Sequence, residues 1–243
     1  MDEGSLQHNG IGLAWKRLAG RAPTIVFLPG YRSDMTGEKA AALAALCEAR
    51  GQSMVRFDYS GHGASGGKFA DGTIGVWLAD ALAVLDQLTE GPLILVGSSM
   101  GGWIGLLAAL ARPGRMAAFV GVAAAPDFTD ALMWEAMTFE ERATLMDKGV
   151  LEVGGAPVTR ALIEDGRTRL LLPRPIALAC PVRLLHGQAD TDVPWEMSMR
   201  LMQQLDTPDA QLTLVKDGGH RLSRPQDLAL LRAVLLPLLD DSF

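Results

Sequence analysis

The chain has 243 residues, the size of one α/β domain carrying an insertion. Its residues are 49% hydrophobic but only 6% aromatic, an aliphatic supply suited to a buried sheet and unlike that of a disordered chain. A formal net charge of −6 argues against a nucleic-acid partner, which needs a basic face to neutralise phosphates.

No apolar run approaches the roughly 18 residues that span a bilayer, and the opening MDEGSLQHNG has neither a basic nor an apolar targeting region. The expectation is a soluble, cytoplasmic protein. TIVFL (Thr24–Leu28) reads as a buried strand stopped by Pro29-Gly30, and Glu38–Arg50 as a helix closed by Gly51. MVRFD (Met54–Asp58) is the next strand, followed by the glycine-rich turn YSGHGASGG. Thr73–Thr89 has apolar residues at helical spacing, and LILVG (Leu93–Gly97) is a third strand. After the helix containing Trp103 come the strands AFVGVAAAP, VRLLHG (Val182–Gly187) and QLTLV (Gln211–Val215), then an amphipathic helix beyond Pro225. Strands alternating with helices predict a mostly parallel sheet flanked by helices. Between the fourth and fifth strands, residues 127–175 hold two helix-like segments, a Gly154-Gly155 break and no convincing strand. They read as a small helical cap over the carboxyl ends of the strands, the core being residues 1–126 and 176–243.

The chemistry concentrates at Gly97-Ser98-Ser99-Met100-Gly101, a G-x-S-x-G match that a strand precedes and a helix follows. A sharp turn there holds the nucleophile in a strained conformation, and glycines two before and two after remove colliding Cβ atoms. Ser99 is therefore the candidate nucleophile, and Ser98 points elsewhere. A serine needs a base, and of the four histidines His220 stands where the strand–helix order requires it, after the last strand. His8 lies in the polar N-terminal segment, His62 in a turn near the site and His186 at the end of a core strand. The acid that orients the imidazole is Asp190 in HGQADTDVP, giving the chain order Ser, Asp, His. Asp192 is close by, and Asp127 after the fourth strand is an alternative. The N–H groups of Met100 and Tyr31 are the candidate donors to an oxyanion, each typically worth ~3 kcal/mol.

These residues, with FLPGYRSDMTG, RFDYSGHGASGG, GPLILVGSSMGGW and CPVRLLHGQADTDVPW, make the whole chain resemble the α/β-hydrolase superfamily. LPGY-S-D-M and VPW narrow the resemblance to its palmitoyl-protein thioesterase and acyl-glucuronide esterase branch. The resemblance implies a cofactor-free serine hydrolase with the triad Ser99, Asp190 and His220. Its partner would be a small acyl ester or thioester, or an acylated protein.

In the cap, Met133, Trp134 and Met137 are candidate acyl-chain contacts, though a small cap also needs a core of its own. Arg160, Arg167, Arg169 and Arg174 are candidates for binding a carboxylate or are ordinary exposed helix arginines. GHGASGG lacks the lysine of a phosphate loop, no cluster has metal spacing, and Cys47 and Cys180 read as buried thiols. Two other readings keep the scaffold: a carbon–carbon hydrolase or perhydrolase with the same triad, and a ligand-binding protein without catalysis.

Overall fold

In the computed structural model, which describes residues 1–240, the chain opens with β1 (Asp2–His8) and β2 (Ile11–Leu18), followed by β3 (Arg21–Leu28), helix α1 (Glu38–Arg50) and β4 (Gln52–Phe57). Then come α2 (Ile74–Leu88), β5 (Leu93–Ser98), α3 (Met100–Ala111) and β6 (Met116–Val122). The following segment holds a π-helical turn (Thr129–Trp134), α4 (Phe139–Lys148), the strands β7 (Val150–Val153) and β8 (Ala156–Thr159), and α5 (Arg160–Arg167). The chain closes with β9 (Ile176–Ala177), β10 (Val182–Gly187), α6 (Glu196–Gln204), β11 (Leu205–Asp206), β12 (Ala210–Val215) and α7 (Pro225–Asp240).

One eight-stranded sheet runs in the order β1-β2-β4-β3-β5-β6-β10-β12. The six strands from β4 to β12 pair in parallel, while β2 runs antiparallel to both β1 and β4. Alternate residues of the same strand serve opposite faces, as the two-residue period requires. Val26, Leu28, Leu95 and Phe119 pack in a cluster with Trp77, Val84, Trp103 and Ile104 of α2 and α3. Ile25, Phe27, Ile94, Val96 and Val120 pack instead with Leu43 and Cys47 of α1 and Leu231 and Leu235 of α7. Each such aliphatic side chain contributes about 1.5–3 kcal/mol by burial, so both faces must be covered. Caps set the helix ends: the Thr73 side chain accepts from the Val76 N–H before α2, and Gly51 ends α1 at φ 63°. Cys47 and Cys180 are buried free thiols, which burial pushes up to about 12 and about 11.

Two expectations change. The polar N-terminal segment is a β-hairpin on the edge of the sheet, its exposed side chains those of an outermost strand. The segment after β6 is not purely helical: Gly154-Gly155 is the tip of the antiparallel β7–β8 hairpin, both glycines having positive φ. Met137, Leu145, Val158 and Ile163 form a separate small core beneath it.

The chain leaves β3 for β4 on one side and returns to β5 on the other. That reversal opens a crevice at the carboxyl ends of β3 and β5, where ligands of such sheets bind.

Candidate active site

Ser99 sits in that crevice, between the end of β5 and the first turn of α3, at φ 54° and ψ −120°. A non-glycine residue in this region is strained and persists only when its surroundings fix it. Here the Ser99 N–H donates to the Val122 carbonyl at 3.0 Å, and the Ser99 carbonyl accepts from Gly102 and Ala125. A Cβ at Gly97 would collide with the Gly101 carbonyl, and one at Gly101 with the carbonyls of Leu28 and Pro29. The glycines let α3 lie directly against β3 and β5, which lifts the Ser99 hydroxyl out of the turn. Ser98 is buried beside it.

The structure brings the three predicted side chains into one hydrogen-bonded line. His220 Nε2 lies 3.1 Å from Ser99 Oγ, and His220 Nδ1 lies 2.8 Å from Asp190 Oδ2. Neighbouring parallel strands make this possible. Gly187 at the end of β10 pairs with Val215 at the end of β12, and the Ala189 N–H donates to the Gly218 carbonyl at 2.9 Å. The loops that carry the acid and the base are thereby held together. Asp190 Oδ1 accepts the N–H groups of Asp192 and Val193, both at 2.9 Å. Burial opposes the charge of this fully covered carboxylate, but hydrogen bonds from His186, His220 and Val193 outweigh it and hold the group well below the usual carboxylate range.

Asp127, the alternative acid, is committed elsewhere: its two oxygens accept the N–H groups of Leu171 and Leu172, each at 2.8 Å. Asp192 is exposed and lines the cavity mouth. Asp190, Asp192 and His220 bring ligand-type atoms within 4.8 Å of one another, the only such grouping among the described residues. Asp190 and His220 spend those atoms on each other.

The loop after β3 approaches Ser99 from the opposite side, and a Cβ on Gly30 would stand 3.2 Å from that of Ser99. The Tyr31 N–H meets no acceptor among the described residues. Met100 opens α3, where a helix leaves its N–H groups unpaired and the dipole favours negative charge. The Tyr31 ring packs on Phe69, Trp77 and Phe128 with centroids 5.0–5.9 Å away. Its hydroxyl is buried without a partner, and burial pushes it up to about 12.

The His62 turn, expected from the sequence to stabilise the chain near the site, clamps this loop, and Asp58, which the sequence did not single out, is part of the clamp. His62 Nδ1 lies 3.2 Å from the Ser60 carbonyl, so it carries the ring proton, and Nε2 accepts the Arg32 N–H. Asp58 accepts the Met35 N–H at 2.7 Å and the Ala64 N–H at 2.8 Å. The signal lies in RFDYSGHGASGG, whose polar residues face inward from a turn.

Two spaces open onto Ser99 and His220. One, of about 530 Å³, runs beneath the segment after β6 and is lined mainly by apolar groups, among them Phe128, Leu132, Met133, Met137, Val158 and Val193. The other, of about 660 Å³, is polar and includes Arg32, Ser33, Asp34, Lys39 and Arg221. Burial pulls the Lys39 amine down to about 8, and it donates to the Arg221 carbonyl. Of the three predicted acyl contacts, Met133 and Met137 line the apolar cavity. Trp134 lies outside it, with the guanidinium groups of Arg142 and Arg167 over its ring at 5.1 and 4.3 Å from the centroid. Arg160, Arg167 and Arg169 pair with Glu164, Asp130 and Asp165, so these candidate carboxylate binders are taken. The cavity's own arginine is Arg32, whose guanidinium reaches the Gly154 carbonyl at the hairpin tip.

The family model described as serine aminopeptidase, S33, matches residues 21–155. Mouse palmitoyl-protein thioesterase ABHD10, mitochondrial, is 40% identical over 235 residues, covering 94% of this chain and 79% of that protein. The solved structure of alpha/beta hydrolase domain-containing protein 10 from mouse matches with a TM-score of 0.92 at 38% identity, over 99% of both chains. A putative hydrolase from Agrobacterium vitis S4 matches with a TM-score of 0.93 at 42% identity, over 98% of both chains. Among the described residues no helix is long and apolar enough to cross a membrane.

Proposed function

Because the chain belongs to the α/β-hydrolase family and is a serine hydrolase related to palmitoyl-protein thioesterases, we propose that it cleaves acyl thioesters or carboxylic esters through an acyl-enzyme on Ser99. Ser99 Oγ attacks the acyl carbonyl while His220 Nε2 takes its proton, and Asp190 orients the ring and stabilises the imidazolium. The N–H groups of Tyr31 and Met100 receive the developing oxyanion. His220 returns the proton to the leaving thiolate or alkoxide. Water, deprotonated by the same nitrogen, then attacks the acyl-enzyme and releases the acid. No step calls for a cofactor.

Residues 127–175 act as the cap in this reading. The apolar cavity beneath them takes the acyl chain, and the polar space takes the leaving group. The substrate is a small acyl ester or thioester or an acylated protein, in keeping with the name of the palmitoyl-protein thioesterase relatives. A cytoplasmic location stays part of the proposal, and cell fractionation tests it against the mitochondrial location in that name.

One observation carries the reading: an unbroken Ser99–His220–Asp190 line, at 3.1 and 2.8 Å, opens onto a mostly apolar cavity. Its test is fluorophosphonate labelling followed by intact-protein mass spectrometry and competition with a panel of acyl thioesters and esters. The expected result is one adduct on Ser99, absent in Ser99→Ala, with turnover of that variant down on the order of 10⁶-fold. A folded Ser99→Ala protein that still turns over a palmitoyl thioester overturns the proposal.

A further inference from the structure

His186 occupies the penultimate position of β10, a buried strand whose other residues are mostly aliphatic, and none of its surface reaches solvent. Its ring is nonetheless fully engaged. Nε2 lies 3.1 Å from Asp190 Oδ2 and 3.0 Å from the Val193 carbonyl. Nδ1 lies 2.6 Å from the hydroxyl of Ser198, which is itself buried on α6. A carbonyl and an ionised carboxylate can only accept, so Nε2 carries the hydrogen and Nδ1 receives the Ser198 O–H. The oxygen that His186 touches is the one that His220 uses.

We propose that His186 is a positioning residue for Asp190, and that Ser198 fixes the tautomer in which it can serve. This rests on the triad reading above. Two N–H groups from the Asp192–Val193 turn hold Asp190 Oδ1, whereas Oδ2 has only the two imidazoles. Without His186, Oδ2 would be tied to His220 alone, a ring that must itself shift between bonding partners during turnover. The second N–H keeps the carboxylate plane fixed through that change, and it spreads the negative charge of Oδ2 over two donors. The titratable group bonded to His186 is Asp190, which in turn holds His220 through the same oxygen and the Asp192 N–H through the other. Filling the end of a buried strand would need only an aliphatic residue. A histidine whose second nitrogen is served by a hydroxyl from another element is a device for presenting one N–H in one direction.

Two amide substitutions separate this role from packing. In His186→Gln the side-chain amide reaches the place of Nε2 and keeps a donor on Asp190. In His186→Asn it ends near Nδ1 and leaves Oδ2 with His220 alone. With a p-nitrophenyl ester, His186→Asn should lose about 10- to 100-fold in kcat, the worth of a hydrogen bond to a charged group, with KM little changed. The acid limb of its kcat/KM profile should move up by on the order of half a pH unit, because a less satisfied carboxylate pulls harder on the His220 proton. His186→Gln should stay within about threefold of the unsubstituted protein. Ser198→Ala should fall about three- to tenfold and move the limb the same way, since His186 is free to turn its proton away from Asp190.

Equal losses in the Gln and Asn variants with an unmoved acid limb would mean a packing role and overturn the proposal. If His186→Asn does not fold, as circular dichroism would show, a Ser198→Ala protein with unaltered rate and profile overturns it just as well. Fluorophosphonate labelling separates the two levels. No adduct on the unsubstituted protein defeats the triad reading and this one with it. An adduct forming equally fast on the unsubstituted protein and on His186→Asn defeats the role of His186 alone.

Discussion

The backbone N–H of Arg32 donates to Nε2 of His62 at 3.3 Å, tying the loop that carries Tyr31 to the turn after β4. This acceptor exists only while His62 is uncharged. Burial among Tyr59, Phe69 and Trp77 holds the ring below its ordinary 6.5, against the raising effect of its bond to the Ser60 carbonyl. As pH falls below about 6.5 the unfolded chain takes up this proton before the folded one does, so the stability contributed by neutral His62 is present above that pH and is lost below it. Thermal melts should show this group's contribution falling between about pH 7.5 and 5.5. His62→Gln keeps an acceptor without titrating and should flatten the slope. An equally steep slope in that variant would remove His62 from the account.

Gly101 is required by contact with backbone. A Cβ there meets the carbonyls of Leu28 and Pro29, and neither is the movable end of a side chain. Gly101→Ala should cost about 3 kcal/mol or more, beyond the usual range for overpacking because strand and helix would have to separate. Gly114, with open space around its Cβ position, supplies the control: Gly114→Ala should lie within about 0.5 kcal/mol of the unsubstituted protein. Urea melts of the two variants decide it, and equal midpoints would refute the close-packing account of the elbow.

The same contrast explains what could be read in advance. Ser99 and Asp190 each follow a buried strand that the apolar runs LILVG and VRLLHG mark without any tertiary knowledge, while His220 follows the half-exposed edge strand β12, which QLTLV marks by its alternation. The β1–β2 hairpin was hidden because an edge strand such as DEGSLQH is mostly exposed and has no apolar face to announce it. The β7–β8 hairpin is four residues a side, with β7 mostly exposed and β8 burying only Ala156 and Val158, too short for a period to register. Asp58 was passed over, and His62 and His186 were placed in the turn and at the strand end without their partners, for another reason. Their partners Met35, Arg32 and Ser198 lie on other elements, and spacing along the chain carries no sign of those bonds. Trp134 fits an apolar lining by composition, but the two arginines that stack over its ring become neighbours only in the fold.

Asp190→Asn should keep the fold and lose activity. The amide can accept from the Asp192 and Val193 N–H groups through its oxygen, but its NH₂ then faces the imidazoles. His220 must turn its Nδ1 into an acceptor, which puts the hydrogen on Nε2 and leaves Ser99 without a base. The expected fall in kcat is about 10⁴-fold with KM little changed. A loss of less than about tenfold, measured on protein whose melt is unaltered, would move the acid role away from Asp190.

Chain-length selection should respond to Ala136, an exposed cap residue on the wall of the apolar cavity. Ala136→Trp places a large ring in a space of about 530 Å³ that also holds Ser99 and His220, while leaving both side chains and the loop after β3 unsubstituted. If the ring displaces about two methylenes of a long acyl chain, the loss is about 1.6 kcal/mol at ~0.8 kcal/mol for each. That corresponds to about a 15-fold fall in kcat/KM for a 16-carbon acyl thioester. Acetyl and butyryl esters, which do not reach that wall, should be hydrolysed as before. The ratio of long- to short-chain kcat/KM is therefore the quantity to measure. An unchanged ratio would place the acyl chain in the polar space and reverse the assignment of the two chambers. A fall shared equally by every chain length would instead show that Ala136→Trp disturbs the Ser99 region itself, through Leu132 and Met133 on the same wall.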